Sequence, residues 1–295
     1  MLKTGAIPLF DIERANYEAG IESDNQEEKR PNVPSYMVLD EKREARREFD
    51  EMEWRIFGRF EGIESLKAQI VDVMDDMSMD AATGNVIVTG SEIYGRKSLA
   101  IDIVKAIQAV DSNFGGKVAK ISGEALNKKD IPMTLHKLRN GALIVESAGG
   151  LTPVTVNLIT EALTQGAEPI LVVLEDEANM MDPLISGCKE LKTVFNARIE
   201  MDDFSNEDLV SYAKGYAREL EYSIDEMGEL ELHTRISELQ ASIDDVVTVD
   251  DVKDIIDAAI RHVDRKNMSH FMDVLLGKRY DVNDYIILRE KDFLI

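Results

Sequence analysis

The sequence predicts an α/β chain: a parallel sheet core with helices on both faces, followed by a C-terminal helical domain. Three observations carry that expectation. From residue 57 onward, short β-branched runs alternate with amphipathic stretches, the pattern of a parallel sheet whose crossovers are helices. After Phe204 strand-like runs become scarce and helix-start signals take over. The composition is 44% hydrophobic and 6% aromatic over 295 residues, enough for a sizeable aliphatic core in one or two domains.

The elements follow in order. Residues 1–53 read as an acidic, flexible arm with a short helix. Its 21–31 stretch is charged, nearly free of large apolar groups and closes on Pro31, so it buries too little surface to offset its ordering entropy. Residues 41–54 are helix-like, with Phe49, Met52 and Trp54 able to dock, while Ile7-Pro8-Leu9-Phe10 is an apolar cluster that either frays or meets a partner. Ile63, Leu66, Ile70, Val73, Met74 and Met77 recur at three- and four-residue steps and predict a helix. Asn85-Val86-Ile87-Val88-Thr89-Gly90 reads as a buried strand. Leu99, Ile103, Ala106, Ile107 and Val110 restore the helical period. Lys117-Val118-Ala119-Lys120-Ile121, Ala142-Leu143-Ile144-Val145 and Ile170-Leu171-Val172-Val173-Leu174 read as further strands. Helices are expected over 132–138 and over 153–163, the latter with Thr152 as N-cap and Pro153 in its first turn. Ser205 with Asp208, and Thr248 with Asp251, resemble capping boxes ahead of two more helices. The expected domains are the arm 1–53, the core 54–203 and a helical lid 204–295.

Charge narrows the function. Lys and Arg number 34 against 57 Asp and Glu, a formal net charge of −23. That field repels phosphate backbones and anionic lipid surfaces, so neither nucleic acid nor a membrane is an expected partner. No apolar run approaches the ~20 residues of a membrane span. The first residues lack the apolar stretch of a signal peptide, and the single cysteine, Cys188, excludes an intramolecular disulfide. The expectation is a cytoplasmic protein. His136, His233, His262 and His270 are scattered without ligand spacing, which predicts no metal site.

The loop after the first core strand reads Gly90-Ser91-Glu92-Ile93-Tyr94-Gly95-Arg96-Lys97-Ser98. A glycine-rich loop between strand and helix can cradle phosphate on backbone N–H groups. The phosphate loop has Gly, four residues, Gly, Lys, then Ser or Thr. Gly90 and Gly95 keep that spacing, but Arg96 stands at the lysine and Lys97 at the hydroxyl. The pair Lys97-Ser98 comes one residue late, about 100° around a helix of 3.6 residues per turn. Two readings stay open: a plain strand-to-helix turn, or residual nucleotide binding through Gly90, Gly95, Arg96, Lys97 and Ser98.

With that loop in place, residues 57–293 resemble an AAA+ module, specifically the CbxX/CfxQ family of red-type rubisco activases and stage V sporulation protein K-like ATPases. Phe60-Glu61-Gly62-Ile63-Glu64-Ser65-Leu66-Lys67 is similar to that family's opening helix. Gly141-Ala142-Leu143-Ile144-Val145-Glu146-Ser147-Ala148 sits where the family has its Walker B strand. Residues 170–181 resemble the sensor-1 strand and the turn after it. Val194-Phe195 and Arg198-Ile199-Glu200-Met201-Asp202-Asp203-Phe204-Ser205 resemble the segment leading into the lid, and 285–293 its closing helix. The resemblance implies an AAA+ P-loop-type core with a helical lid.

The departures fall at the chemistry. By the resemblance, Glu146 replaces the Walker B aspartate, and Ser147 replaces the glutamate that activates water. A serine hydroxyl does not accept that proton at neutral pH. Glu175 and Asp176 stand at sensor 1. The arginine finger, worth about 10³ to 10⁵ in rate where it operates, falls on Val194, and the lid arginine falls near Asp250. Arg198, Arg218 and Arg235 read as solvated or ion-paired residues before they read as surrogate fingers. Leu126-Asn127-Lys128-Lys129-Asp130-Ile131-Pro132, at the pore loop, is short and has no aromatic to grip a polypeptide.

Together these residues predict an AAA+-like pseudo-ATPase, a scaffold or regulatory subunit with weak or absent nucleotide binding. Its assembly would be a ring or helical homo-oligomer, or a mixed one with an active AAA+ relative. No resident cofactor is expected, and ATP or ADP with Mg is the ligand set the resemblance allows. The alternative is an active AAA+ ATPase of remodelling or chaperone type, in which Lys97-Ser98 binds phosphate and Glu146 holds magnesium and activates water. A monomeric binding module is a third reading.

Overall fold

In the computed structural model, which describes residues 45–115, 117–165, 168–242, 246–265 and 279–294, the run Asn85–Gly90 is strand β1. Helices α1 (Glu51–Phe57) and α2 (Glu64–Asp76) precede it. There follow α3 (Arg96–Val110), β2 (Val118–Ser122), the short helix α4 (Gly123–Leu126), α5 (Ile131–Lys137) and β3 (Gly141–Glu146). The core continues with α6 (Pro153–Thr164), β4 (Ile170–Asp176), α7 (Ala178–Gly187), α8 (Leu191–Val194) and β5 (Phe195–Met201). The lid consists of α9 (Asn206–Glu219), β6 (Tyr222–Ile224), α10 (Glu226–Ser242), α11 (Val249–Arg265), β7 (Ile286–Leu288) and α12 (Glu290–Phe293). This is the parallel α/β core with a helical lid that the sequence predicts.

The five core strands are all parallel, in the order β2-β3-β4-β1-β5. Period-two alternation divides their side chains between two cores. Val86 and Val88 of β1, Ala142 and Ile144 of β3, and Leu171 and Val173 of β4 face α1, α2, α3 and the lid. Ile87, Leu143, Val145, Val172 and Leu174 face α5, α6, α7 and α8. Each fully buried Val, Leu or Ile is worth about 1.5–3 kcal/mol, and a one-residue slip of a central strand would send every one of its side chains into the opposite core. Asn85 sets the start of β1. Its amide donates to the carbonyls of Ala81 and Val194 and accepts from the Val172 N–H, so no part of this fully buried polar group goes unpaired.

Three elements differ from expectation. Helix α1 begins at Glu51, not near 41, because Asp50 and Glu53 form a capping box that defines its first turn. Residues 45–50 ahead of it are not helical, with Arg47 bonded to Glu53 and Asp75 and Phe49 packed on the core. β5 is a full strand at the sheet edge. Phe195, Ala197, Ile199 and Met201 alternate with Asn196, Arg198 and Glu200, a period-two pattern that the reading of this segment as a connection into the lid passed over, and Gln69 of α2 satisfies the Glu200 backbone from the side. The lid also holds the parallel pair β6–β7, whose three-residue strands are too short to show a period. Consequently 285–293 is a strand followed by one turn of helix, not a single closing helix. The predicted capping boxes at Ser205 and Thr248 and the Thr152 cap are all formed.

Residues 1–44 lie outside the described residues, and with them the 21–31 stretch and the Ile7-Pro8-Leu9-Phe10 cluster. Among the described residues no helix is long and apolar enough to cross a membrane.

Candidate functional site

Because β1 lies between β4 and β5 while the chain returns to the far edge at β2, the carboxyl end of β1 is a topological switch point. Open α/β sheets receive ligands at such points. The Gly90–Ser98 loop stands there. Gly90 has φ +143°, and a Cβ on it would lie 2.6 Å from the Cβ of Met201, so only glycine fits against β5. Glu92–Tyr94 form one tight turn, and Gly95, at φ +90°, reverses the chain into α3.

Arg96 then turns inward. Its Nη1 donates to the Gly90 carbonyl at 2.6 Å, and its Nε to Glu175 Oε2 at 2.5 Å. Glu92 lies 3.5 Å from its Nη2. Arg96 is 4% exposed and Glu175 fully buried at the end of β4. Glu175 Oε1 is buried without a hydrogen-bond partner. Burial pushes the Glu175 carboxyl above the ordinary carboxylate range, with Arg96 opposing the shift. Lys97 is half-exposed with its Nζ 3.7 Å from Glu92, and Ser98 is exposed.

The other predicted positions surround this pair. Glu146 lies directly across from Glu175 in the β3–β4 register. It is partly exposed, and Lys120 of the edge strand reaches it at 3.5 Å. Ser147 is exposed and left-handed at φ 50°. Asp176 accepts from the backbone N–H groups of Gly149 and Glu177 and so ties the turn after β3 to the end of β4. A hollow of about 400 Å³ beside the loop is lined by Gly90, Ser91, Met201 and the carboxylates of Glu177, Asp202 and Asp203. It favours cations over anions. Among the described residues no cluster of three or more His, Cys, Asp or Glu can hold a metal ion.

Two features escaped the sequence reading. The first is an aromatic cluster at the junction of loop and lid. Tyr94 stacks on Phe204 at 4.7 Å, Phe204 meets Tyr212 at 6.5 Å, and Tyr212 meets Phe60 at 5.7 Å. Val249 of α11 packs 3.6 Å from the Cβ position of Gly95, so the lid rests on the loop. The second is Arg59, which bonds Asp102 of α3 and Glu219 of α9. The signal for the Arg96–Glu175 pair was present: two departures from one pattern, of opposite charge. Nothing local marks Arg59, whose partners are 43 and 160 residues away.

Val194, where the resemblance puts the arginine finger, is fully buried in the α5–α8 core and offers no polar side-chain group. Arg198 pairs with Asp182 and Glu200, and Arg218 with Glu61. Arg235 lies beside Glu238, Leu239 and Ile255 in a surface hollow of the lid. Asp250 pairs with Lys253. In the 126–132 loop Leu126 and Ile131 are buried, and Asn127 bonds Gly150 and Thr152.

Neither a protein-family model nor a curated protein sequence matches the chain. Solved structures of RuvB from Thermotoga maritima are similar to it. One described as a Holliday junction branch migration motor has TM-score 0.41 and 13% identity, covering 71% of this chain and 59% of that one. A point variant of RuvB has TM-score 0.48 and 14% identity, covering 78% and 67%. A second variant has TM-score 0.45 and 14% identity, covering 78% and 66%, so this chain spans about two thirds of the RuvB chains it matches.

Proposed function

We propose that this chain is an AAA+-like module with a catalytically silent nucleotide pocket, acting as a scaffold or regulatory subunit of an oligomeric assembly. The observation that carries the reading is the commitment of Arg96. The cation at the phosphate-binding position already bonds Glu175 and the Gly90 carbonyl, and both would be left unpaired if it turned to a ligand. An unpaired buried charge is strongly unfavourable. ATP with magnesium is a poor fit to the groups present. Glu92, Glu175, Glu177, Asp202 and Asp203 oppose a polyanion around the loop, and Tyr94, Phe204 and Tyr212 fill the space between loop and lid. Neither predicted group is poised to activate water: Ser147 is not a base, and Glu146 lies 3.5 Å from the Lys120 ammonium. The motor role described for RuvB is not carried over, because a net charge of −23 repels a phosphate backbone.

The test is magnesium-dependent phosphate release by purified protein, with nucleotide retained through purification assayed alongside. Background release, unchanged in Lys97→Ala and Glu146→Gln, is expected. Turnover that both substitutions abolish would establish the active ATPase instead.

A further inference from the structure

The sheet has two edges, and they are finished differently. α2 packs along β5, where the Gln69 side chain accepts from the Glu200 N–H and donates to its carbonyl, as the peptide group of a neighbouring strand would. The register of β5 also slips by one residue beside Asn85 and Val86. A covering helix and a bulge both close an edge to further strands. β2, at the other edge, is regular. It stays in register with β3 over all five of its residues, and among the described residues no strand lies beyond it.

The ladder shows which groups are open. The Lys117 carbonyl accepts from the Ala142 N–H at 2.8 Å, so Lys117, Ala119 and Ile121 turn their backbone toward β3. By alternation Val118 and Lys120 turn their N–H and C=O groups outward. The side chains alternate as well. Val118, Lys120 and Ser122 are exposed on one face, Val118 to 46%, while Ala119 and Ile121 are half-buried against the α5–α8 core on the other.

The surroundings are basic in an acidic molecule. Between 112 and 145 six Lys and Arg residues stand against Glu124 and Asp130, in a chain of net charge −23. They frame both ends of the strand. Lys128 and Lys129 follow α4 at its carboxyl end. Lys137 and Arg139 lie at its amino end, where the Gly115 N–H bonds the Asn140 carbonyl. All four are exposed. Asp130 caps α5, Glu168 pairs with Arg139, and Lys120 lies 3.5 Å from Glu146.

We propose that the free edge of β2 is a docking site for an extended, acidic segment of a partner protein, which joins the sheet as a further strand. Backbone pairing supplies the affinity, and alternate side chains select the partner. Those on the Val118–Lys120 face are acidic, because opposite charges paired across strands are favourable. Those over Ala119 and Ile121 are apolar. Lysines on an edge keep two identical edges apart, yet they admit a strand of opposite charge. The inference gives the regulatory reading a class of partner and does not depend on the silence of the pocket.

The probe is a short fluorescent peptide alternating valine and glutamate, titrated into the full chain near physiological salt. Screening over about 8 Å there lets the adjacent rim outweigh distant acidic surface. The peptide is expected to bind, and its valine–lysine counterpart is not. Methylating the peptide's backbone nitrogens keeps its charge, removes its N–H donors and should weaken binding about tenfold or more. Val118→Pro removes one outward N–H at the first residue of an edge strand, where proline is tolerated, and should weaken binding to a similar degree. The methylated peptide is measured on the unaltered chain, so it decides the matter even if the proline variant does not fold. An unbound glutamate peptide, equal binding of its methylated form, or a folded Val118→Pro that binds as wild type does would overturn the site. So would oligothymidylate binding in place of the peptide, or an assembly of the unliganded chain that Val118→Pro dissolves, since nucleic acid or a second copy would then occupy the edge. Phosphate release on the same samples separates the two proposals: turnover in a chain that binds the peptide removes the silent pocket and leaves the docking edge standing.

Discussion

A buried arginine, Arg96, and a half-buried one, Arg59, hold this molecule together at different scales. Arg96 closes a loop on itself, bonding a carbonyl six residues back and a carboxylate on the neighbouring strand. Arg59 joins separate parts, since Asp102 belongs to the core helix and Glu219 to the first helix of the lid. Their carboxylates differ in the same sense. Glu175 is fully buried with one oxygen unpartnered, whereas Glu219 is 21% exposed and accepts from both the Arg59 backbone N–H and its Nη1. The loop pair is therefore a local plug with a desolvated carboxylate, and the lid pair a clamp with relief from solvent. The same chemistry, set in two degrees of burial, fixes a pocket in one place and an inter-element angle in the other.

The largest expected effect comes from splitting the plug. Arg96→Ala leaves Glu175 as a buried uncompensated charge and should lower the unfolding free energy by about 3–5 kcal/mol, read from urea denaturation. Arg96→Met combined with Glu175→Leu removes both charges and should return stability to the wild-type level or above it. If the double variant is as weak as the single one, the plug acts through packing and the distinction from the clamp disappears.

The clamp should yield less. Glu219→Ala removes the acceptor of both the Arg59 backbone N–H and its Nη1 and should cost about 1–3 kcal/mol. Its second signature is positional: limited proteolysis should speed up within the lid while the core fragment persists. Equal acceleration in both parts would mean that Arg59 stabilises the whole chain without orienting the lid.

Most of the fold was legible because its central strands are short runs of β-branched residues and its crossovers keep a helical period. Ile170 to Leu174 shows as a strand with no knowledge of its neighbours. β5 was missed although Phe195, Ala197, Ile199 and Met201 alternate with polar residues, because the segment was read only as the connection into the lid. At the site, the spacing of Gly90 and Gly95 marked the loop, and the resemblance put Glu146 and Glu175 at the ends of two strands, which the register makes neighbours. Where Arg96 points was not legible. A side chain's direction depends on what lies across the sheet, and a sequence pattern carries no distance between residues 96 and 175. Tyr94, Phe204 and Tyr212 were hidden for the same reason, since each looks like an ordinary core aromatic until the lid is folded over the loop.

The smallest effect separates plug from clamp by pH. Burial raises the Glu175 and Glu219 carboxyls above the ordinary 4.5, the arginines opposing it in each case. A carboxyl raised by folding contributes stability that is complete below its unfolded value and is lost as pH climbs through the folded one. Unfolding free energy should therefore fall as pH rises above about 4.5 and then level off. Asp111 works in the other direction and at lower pH. The backbone N–H groups of Asn113 and Met79 hold it below the ordinary 3.8, so its contribution disappears only as pH falls through that lowered value. Glu175→Gln should show a flatter decline above 4.5 than wild type, and Glu219→Gln should flatten it less, because solvent already reaches that carboxylate. Urea midpoints collected across the range decide the order. A Glu219 variant that flattens the curve more than its Glu175 counterpart would place the greater desolvation at the lid and reverse the comparison between the two arginines.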